Sequence, residues 1–240
     1  MFLSINSKDR TNTSTSSNDF QIKLANPVTE IKTFEFISCI VSNTIYKIRT
    51  NVNDKLDFND GANKSITLSQ GSYTISNLCS TILTQLNTIS SLFTAVSYDS
   101  ITMKITISRS AAFNLLFSSG INKLTSIHKE LGFNSTDLTT LLTYTSQNVV
   151  QLFNPIGMYI QINELSMPNQ TTGNCFYTFH VPMAVNSDSI ISVQQNNMYD
   201  QKIILTAAQT ISTLTIKLKL QDANDFILNN SDFELILKLS

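Results

Sequence analysis

From Leu214 to Gln221 apolar and polar residues alternate without a break, with Leu214, Ile216, Leu218 and Leu220 set against Thr215, Lys217, Lys219 and Gln221. Successive side chains of an extended strand point to opposite faces, so this run can bury one face and wet the other only as a β-strand. The last residues repeat the pattern, Phe233, Leu235, Leu237 and Leu239 against Glu234, Ile236 and Lys238, and so predict a C-terminus stitched into a sheet. Strand candidates from Val149 onward cover 158–165, 175–182, 189–195, 202–206, 211–221 and 232–239, with turns at Asp222 to Asp225 and at Asn229-Asn230. Many short strands separated by turn residues predict an all-β dominated sandwich.

The first third carries the same period less cleanly. Phe20, Ile22 and Leu24 oppose Gln21 and Lys23, and Asn26-Pro27 is expected to end that strand. Residues 31–49 are β-rich with an expected break at Ser42-Asn43, and their imperfect alternation fits a bulge or burial on both faces. Phe58 and the Ile66 to Leu68 segment add short strands around turns at Asn53-Asp54 and Asn59-Asp60-Gly61. The period then changes: Ile75, Leu78, Cys79, Ile82, Leu83 and Leu86 follow the spacing of one helix face, with Thr74 as cap. Phe93 to Tyr98 and Ile101 to Ser108 read as a hairpin about Asp99-Ser100, with Ile101, Met103, Ile105 and Ile107 on one face. An apolar patch, Ala111 to Phe117, leads to Gly120, and a short helix over Lys123 to Leu131 is expected to stop at Gly132. Residues 66–134 thus read as a compact α+β insertion. Before all this, residues 6–19 (NSKDRTNTSTSSND) contain no apolar side chain, so the segment is a loose arm or a strip laid on a neighbour.

Charged residues make up 14% of the 240-residue chain, against roughly 25% for ordinary soluble domains. Asn, Ser, Thr and Gln supply the missing polarity. Such a surface repels copies of itself weakly and suits a protein covered by partners; a compositional habit of an AT-rich genome is the other reading. A net charge of -1 without any basic run argues against duplex nucleic acid as a specific ligand. Lys47 with Arg49, and Lys217 with Lys219, read as solvated strand faces. The cysteines, Cys39, Cys79 and Cys175, are odd in number and far apart, which suits buried apolar roles better than a disulfide framework or a metal site. No apolar run is long enough to span a membrane, and the first residues, Met1 to Ile5, lack the basic region of a signal peptide.

Chemistry has few footholds. The two histidines, His128 and His180, stand in no metal-binding spacing and read as half-buried or turn residues. Asp54, Asp57, Asp60, Asp99, Asp188, Asp222 and Asp225 are scattered among turns and read as solvated. Residues 51–60 (NVNDKLDFND) are similar to a calcium loop but lack its central glycine and terminal glutamate. Six dispersed glycines form no phosphate loop or dinucleotide fingerprint. No catalytic, cofactor-binding or metal residue is therefore assigned, and an enzyme is not expected. Carbohydrate binding competes, with Tyr144, Tyr159, Tyr177 and Tyr199 as candidate platforms, although tyrosines half-covered at subunit interfaces fit equally well. Asn63, Asn134 and Asn169 lie in glycosylation triplets that matter only in a secreted protein.

Several stretches together resemble the single jelly-roll vertex or minor capsid proteins of virophages, Polinton-like viruses and some large DNA viruses. They are Ser7-Lys8-Asp9-Arg10, Asp19-Phe20 with Ile22, Leu24 and Pro27, Asn43-Thr44-Ile45-Tyr46-Lys47-Ile48, Gly71-Ser72-Tyr73-Thr74 and Leu131-Gly132-Phe133. Phe179-His180-Val181-Pro182-Met183, Leu214 to Leu218, Asp222, Leu228-Asn229-Asn230 and Asp232-Phe233 complete the set. Asn224-Asp225 and Asn230-Ser231 stand where glycine is expected, although asparagine tolerates the same backbone. The resemblance implies a polar arm over 1–19 and a single jelly-roll β-sandwich over 20–240, interrupted by the insertion at 66–134. It also implies a penton subunit in a homopentamer at icosahedral vertices of the virion capsid, meeting the major capsid protein and other minor capsid proteins, with residues 7–18 as a contact strip. A minor or cementing capsid protein is the nearest alternative, and a carbohydrate-binding sandwich used in host attachment lies further off.

Overall fold

The computed structural model describes residues 1–11, 16, 18–42, 44–152, 157–165, 179–182, 190–194, 201–220, 225, 226, 228 and 231–240. In chain order the elements begin β1 (Phe2–Asn6), β2 (Asp19–Ser42), β3 (Lys55–Asn59), β4 (Asn63–Thr67), α1 (Ile75–Ile89), β5 (Phe93–Asp99) and β6 (Lys104–Leu115). They continue with β7 (Leu138–Thr145), β8 (Gly157–Ile162), β9 (Phe179–Pro182), β10 (Ile190–Gln194), β11 (Lys202–Leu220) and β12 (Phe233–Leu239). The chain forms two compact units, Met1–Ile45 with Pro155–Ser240, and Tyr46–Asn154. The second is wider than the 66–134 segment read from the sequence.

The first unit is one antiparallel sheet in the order β1-β12-β2-β11-β8-β9, with β10 also on β2. Its frame is the β2–β11 pair. Near its start β2 pairs with the end of β11 (Ile22 opposite Leu214), and β11 hands on to β8 (Leu218 opposite Ile160). Near its end β2 lies between β12 and β10 (Cys39 opposite Leu235 and Val193). The two long strands thus belong to two layers. Between the layers the β2–β11 register slips three times, from Ile204 to Thr213, and these bulges bend the pair. Asn26-Pro27, expected to end a strand, lies inside this stretch of β2, where a missing N–H costs no regular ladder bond. The same slips join the 202–206 and 211–221 candidates into one continuous β11. Ring contacts record the two layers facing each other: Phe20 meets Phe233 edge-on at 6.2 Å, and Phe36 lies 5.7 Å from Phe179. Phe20, Phe34, Leu214, Ile216, Leu235 and Leu237 are among the side chains buried between them, each worth about 1.5–3 kcal/mol.

The N-terminus departs from the expected arm. β1 pairs with β12 along its whole length, Ile5 opposite Leu235, and Ile5 is buried. Ser7 is buried too; its hydroxyl donates to Asp232 and accepts the Phe233 N–H at 3.0 Å. Met1, Phe2, Leu3 and Ile5 supply enough apolar surface for an edge strand once a partner is waiting, a tertiary effect the polar run after them conceals. At the other end the Ser240 carbonyl accepts the N–H groups of Lys32 and Thr33, which fixes the C-terminus in the sheet as its alternation required.

The second unit has a sheet ordered β4-β3-β6-β5, with β7 alongside β6. Helix α1 buries Leu78, Cys79, Ile82 and Leu86 with this sheet's core, the face read from the sequence, and Thr74 accepts the Asn77 N–H as cap. Two local readings change. The hairpin turns over four residues, since Asp99 pairs with Lys104 and its carboxylate accepts from the Ile101 N–H and the Thr102 hydroxyl. Ile101 and Met103 are therefore exposed, and only Ile105 and Ile107 of the expected face are buried. The helix expected over Lys123 to Leu131 survives only as a 3-10 turn at Lys123–Thr125. The Lys55 backbone captures the next two residues: Ser126 bridges to Lys55, and the Ile127 N–H donates to the Lys55 carbonyl. Gly132 nevertheless has φ +81°, as a chain-reversing glycine should. β7 has no sequence counterpart, because Leu138-Thr139-Thr140-Leu141-Leu142-Thr143 does not alternate.

Candidate functional site

The residues with chemical potential are held one by one in structural roles. His128 lies 5.5 Å from the Phe117 ring, and its pKa is lowered by burial and by the Lys129 charge. His180, on β9, packs on Tyr159 with ring centres 4.9 Å apart and the planes tilted by 40°, and its pKa is likewise lowered by burial. Cys39 and Cys79 are free and buried, and burial raises both thiols, so neither is a ready nucleophile. Cys175 lies outside the described residues.

Residues 51–60 differ most from the expectation of solvated turns. Asp54 and Asp57 are buried, the Asp60 carboxylate is only 3% exposed, and the three diverge toward separate partners. Asp57 accepts the Asn122 N–H at 2.7 Å and its side-chain amide at 2.8 Å, which pins the 116–125 loop to β3. Asp60 accepts from Arg109 at 3.1 Å and from Ser90, and pairs with Lys64 at 2.9 Å. Burial raises the Asp60 pKa, but the hydrogen bonds from Ser90 and Lys64 and the Lys64 and Arg109 charges outweigh it, so the net shift is downward. Among the described residues the Asp54 carboxylate has Lys55 as its one ionic partner, at 3.5 Å. Asn53 donates to Glu130 and to the Lys47 carbonyl while accepting the Arg49 N–H, and burial raises Glu130 against those partners. Arg49 thus belongs to a packed loop and not to a solvated strand. Among the described residues no three His, Cys, Asp or Glu side chains are grouped to hold a metal ion, and no helix is long and apolar enough to cross a membrane.

Of the other aspartates, Asp99 is an exposed turn residue, Asp225 is exposed and paired with Lys219, and Asp188 and Asp222 lie outside the described residues. Tyr144 is no sugar platform: it is buried, packs 4.9 Å from Phe113 and donates to the Phe113 carbonyl. Tyr159 is half-buried under His180, while Tyr177, Tyr199 and Asn169 lie outside the described residues. Asn63 and Asn134 are exposed.

What the first unit does offer is two contrasting outer faces. Register places Phe2, Lys238 and Glu35 in one outward row of β1, β12 and β2, then Ser4, Ile236 and Ser38, then Asn6, Glu234 and Ile40. Phe2 is 68% exposed and Ile204 of the neighbouring β11 is 66% exposed, with one ion pair, Lys238 to Glu35 at 3.0 Å, among them. The opposite layer presents Gln21, Thr215, Lys217, Lys219, Tyr159 and His180, cross-linked by Lys217–Asp19 at 3.0 Å and by Glu164, which accepts the Thr215 N–H and hydroxyl. One face mixes exposed apolar side chains with charged ones; the other is polar and cross-linked by its own ion pair and hydrogen bonds.

No family model matches the sequence, and no curated protein matches it. Solved structures do. The mavirus penton protein superposes with a TM-score of 0.51 at 10% identity, covering 100% of this chain and 99% of its own. A chain of the Sputnik virophage structure gives 0.50 at 13% identity, covering 99% and 96%. This strand-dominated fold, with its curled antiparallel sheets, is a β-sandwich of the jelly-roll kind that both neighbours share.

Proposed function

We propose that this chain is a structural capsid subunit of a virion, the penton protein that closes a fivefold ring at icosahedral vertices and meets the major capsid protein and other minor capsid proteins at its rim. The observation that carries the reading is the full-length likeness to the mavirus penton protein, which takes in the second unit as well as the sandwich. On this reading residues 1–45 and 155–240 are the jelly roll and residues 46–154 its insertion.

The mechanism is assembly. In a closed ring one patch of each subunit fits a different patch of the next, and each added contact multiplies affinity around the ring. The face with exposed Phe2, Ile40 and Ile204 offers apolar surface to a neighbour, its Lys238 and Glu35 already pair with each other, and it is the surface the reading assigns to contact. The chemistry of the buried polar side chains, engaged in holding loops, favours a structural role over an enzymatic one.

Copy number in purified particles tests the proposal. About 60 copies per shell places the chain at the vertices, and a larger number makes it a minor or cementing component. Absence from particles, with a monomer at high concentration in native mass spectrometry, refutes a capsid role.

A further inference from the structure

The second unit carries a cleft of about 460 Å³ lined by Gly71, Ser72, Tyr73, Asn77, Ser80 and Thr81. That volume falls within the roughly 300–1,000 Å³ of small-molecule sites. Its wall is fixed from below. Gly71 exchanges two backbone hydrogen bonds of 3.0 Å with Ile48, and the half-buried Tyr73 donates its hydroxyl to the Ser69 carbonyl at 2.9 Å. Gly71 also lies against the ring, 3.4 Å from where a Cβ would stand. The aromatic ring is thus held at the cleft, not swinging free.

The opposite wall is the first half of α1, where Ser80 behaves like Thr84 and Thr88 further along but Asn77 and Thr81 do not. Ser80, Thr84 and Thr88 turn their hydroxyls back onto the carbonyls of Ser76, Ser80 and Thr84, at 3.1, 2.9 and 2.9 Å. Ser72, Thr81 and the Asn77 side-chain amide make no such bond among the described residues. Donors and acceptors left open beside a fixed aromatic ring, with no Lys, Arg, Asp or Glu in the lining, offer a ligand hydrogen bonds and an apolar face but no counter-charge. They select for a neutral molecule with one apolar face and many hydroxyls.

We propose that this cleft binds a neutral saccharide, one sugar ring laid against Tyr73 with its hydroxyls reaching Asn77, Thr81 and Ser72. It is independent of the proposed capsid role, since it concerns the second unit alone, and it moves sugar recognition away from the tyrosines suggested by the sequence.

The test uses the full chain on an array of neutral glycans ending in mannose, galactose or N-acetylglucosamine, together with sialylated and sulfated glycans, followed by titration of each hit by NMR. Binding confined to neutral glycans is expected. The Asn77→Ala/Thr81→Val double variant, which leaves the buried face of α1 intact, should weaken it by about tenfold or more. Tyr73→Phe, which keeps the ring but frees it from Ser69, should weaken it less. Absence of any neutral hit, hits only among acidic glycans, or a double variant that binds like the parent would each overturn the assignment. Copy number in the particle is read separately, so failure here leaves the capsid reading standing or falling on its own measurement.

Discussion

The Asp60–Arg109 pair allows the sharpest test of how the second unit is held together. Its side chains are only 3% and 8% exposed and lie 3.1 Å apart. Taking one member from a buried pair strands the other, at a cost of about 3–5 kcal/mol. Asp60→Asn should fall near 3–4 kcal/mol, because it leaves both Arg109 and Lys64 without their carboxylate, although Arg109 keeps the Ala112 carbonyl at 3.3 Å and the Phe93 ring at 5.5 Å. Arg109→Met should cost less, about 2–3 kcal/mol, since Asp60 retains Lys64 and Ser90. The double variant should cost less than the sum by about 1–3 kcal/mol. Hydrogen exchange of β3 and β6 peptides across a urea series measures this, and a loss of 3 kcal/mol moves their midpoint by about 1–3 M. The pH dependence has a definite sign. Asp60 titrates below its ordinary value when folded, so its stabilisation is full above the unfolded pKa of 3.8 and is lost as pH falls toward the folded value. Asp60→Asn should remove that part of the acid sensitivity. Strictly additive costs, or single variants each costing under about 1 kcal/mol, would refute the reasoning.

Asp137 accepts the Ser118 and Ser119 N–H groups at 2.7 and 3.2 Å; burial raises its pKa, but hydrogen bonding from the Ser119 side chain, then from the Ser118 N–H and side chain and the Ser119 N–H, outweighs that and lowers it to about 2. Asp137→Asn should cost about 1–2 kcal/mol at neutral pH after solvent screening, an effect that fades between pH 3.8 and 2 and is read by exchange at Ser118 and Ser119. Gly132→Ala should destabilise the second unit by more than about 1–2 kcal/mol, since φ is +81° and the new Cβ would collide with the Asn148 carbonyl; calorimetry reads it, and an unchanged melting temperature contradicts the packing. Phe20→Ala should cost about 3–5 kcal/mol in the first unit and expose β12 to exchange through Phe233, whereas protection unchanged at β12 would mean that the layers do not depend on each other there. Residues 46–154 expressed alone should fold cooperatively around their own core, as seen in near-ultraviolet circular dichroism; a molten spectrum would deny them independence.

The sequence was most legible where one face of a regular element is buried. β11, β12 and α1 follow directly from period, and Thr74 and Gly132 from turn and cap chemistry. It was least legible where a distant partner decides. β1 is an edge strand only because β12 lies beside it, and Pro27 sits within a strand because the ladder is already broken by bulges. Lys123 to Leu131 has helical spacing, yet the Lys55 backbone offers a competing bridge. Buried aspartates in 51–60 look like any polar turn until Asn122 and Arg109, 65 and 49 residues further on, are brought to them. The cleft beside Tyr73 was invisible for the same reason: its floor depends on Ile48, a distant partner that holds Gly71 through two backbone hydrogen bonds.

Because β2 and β11 run through both layers of the sandwich, no plane of side-chain contact alone divides one layer from the other. A load applied to either layer must pass along covalent strands and their shared hydrogen bonds before it can shear the apolar interior. The sandwich should therefore resist sliding far better than two separately laddered sheets, and give way as a single event once the bent pair parts.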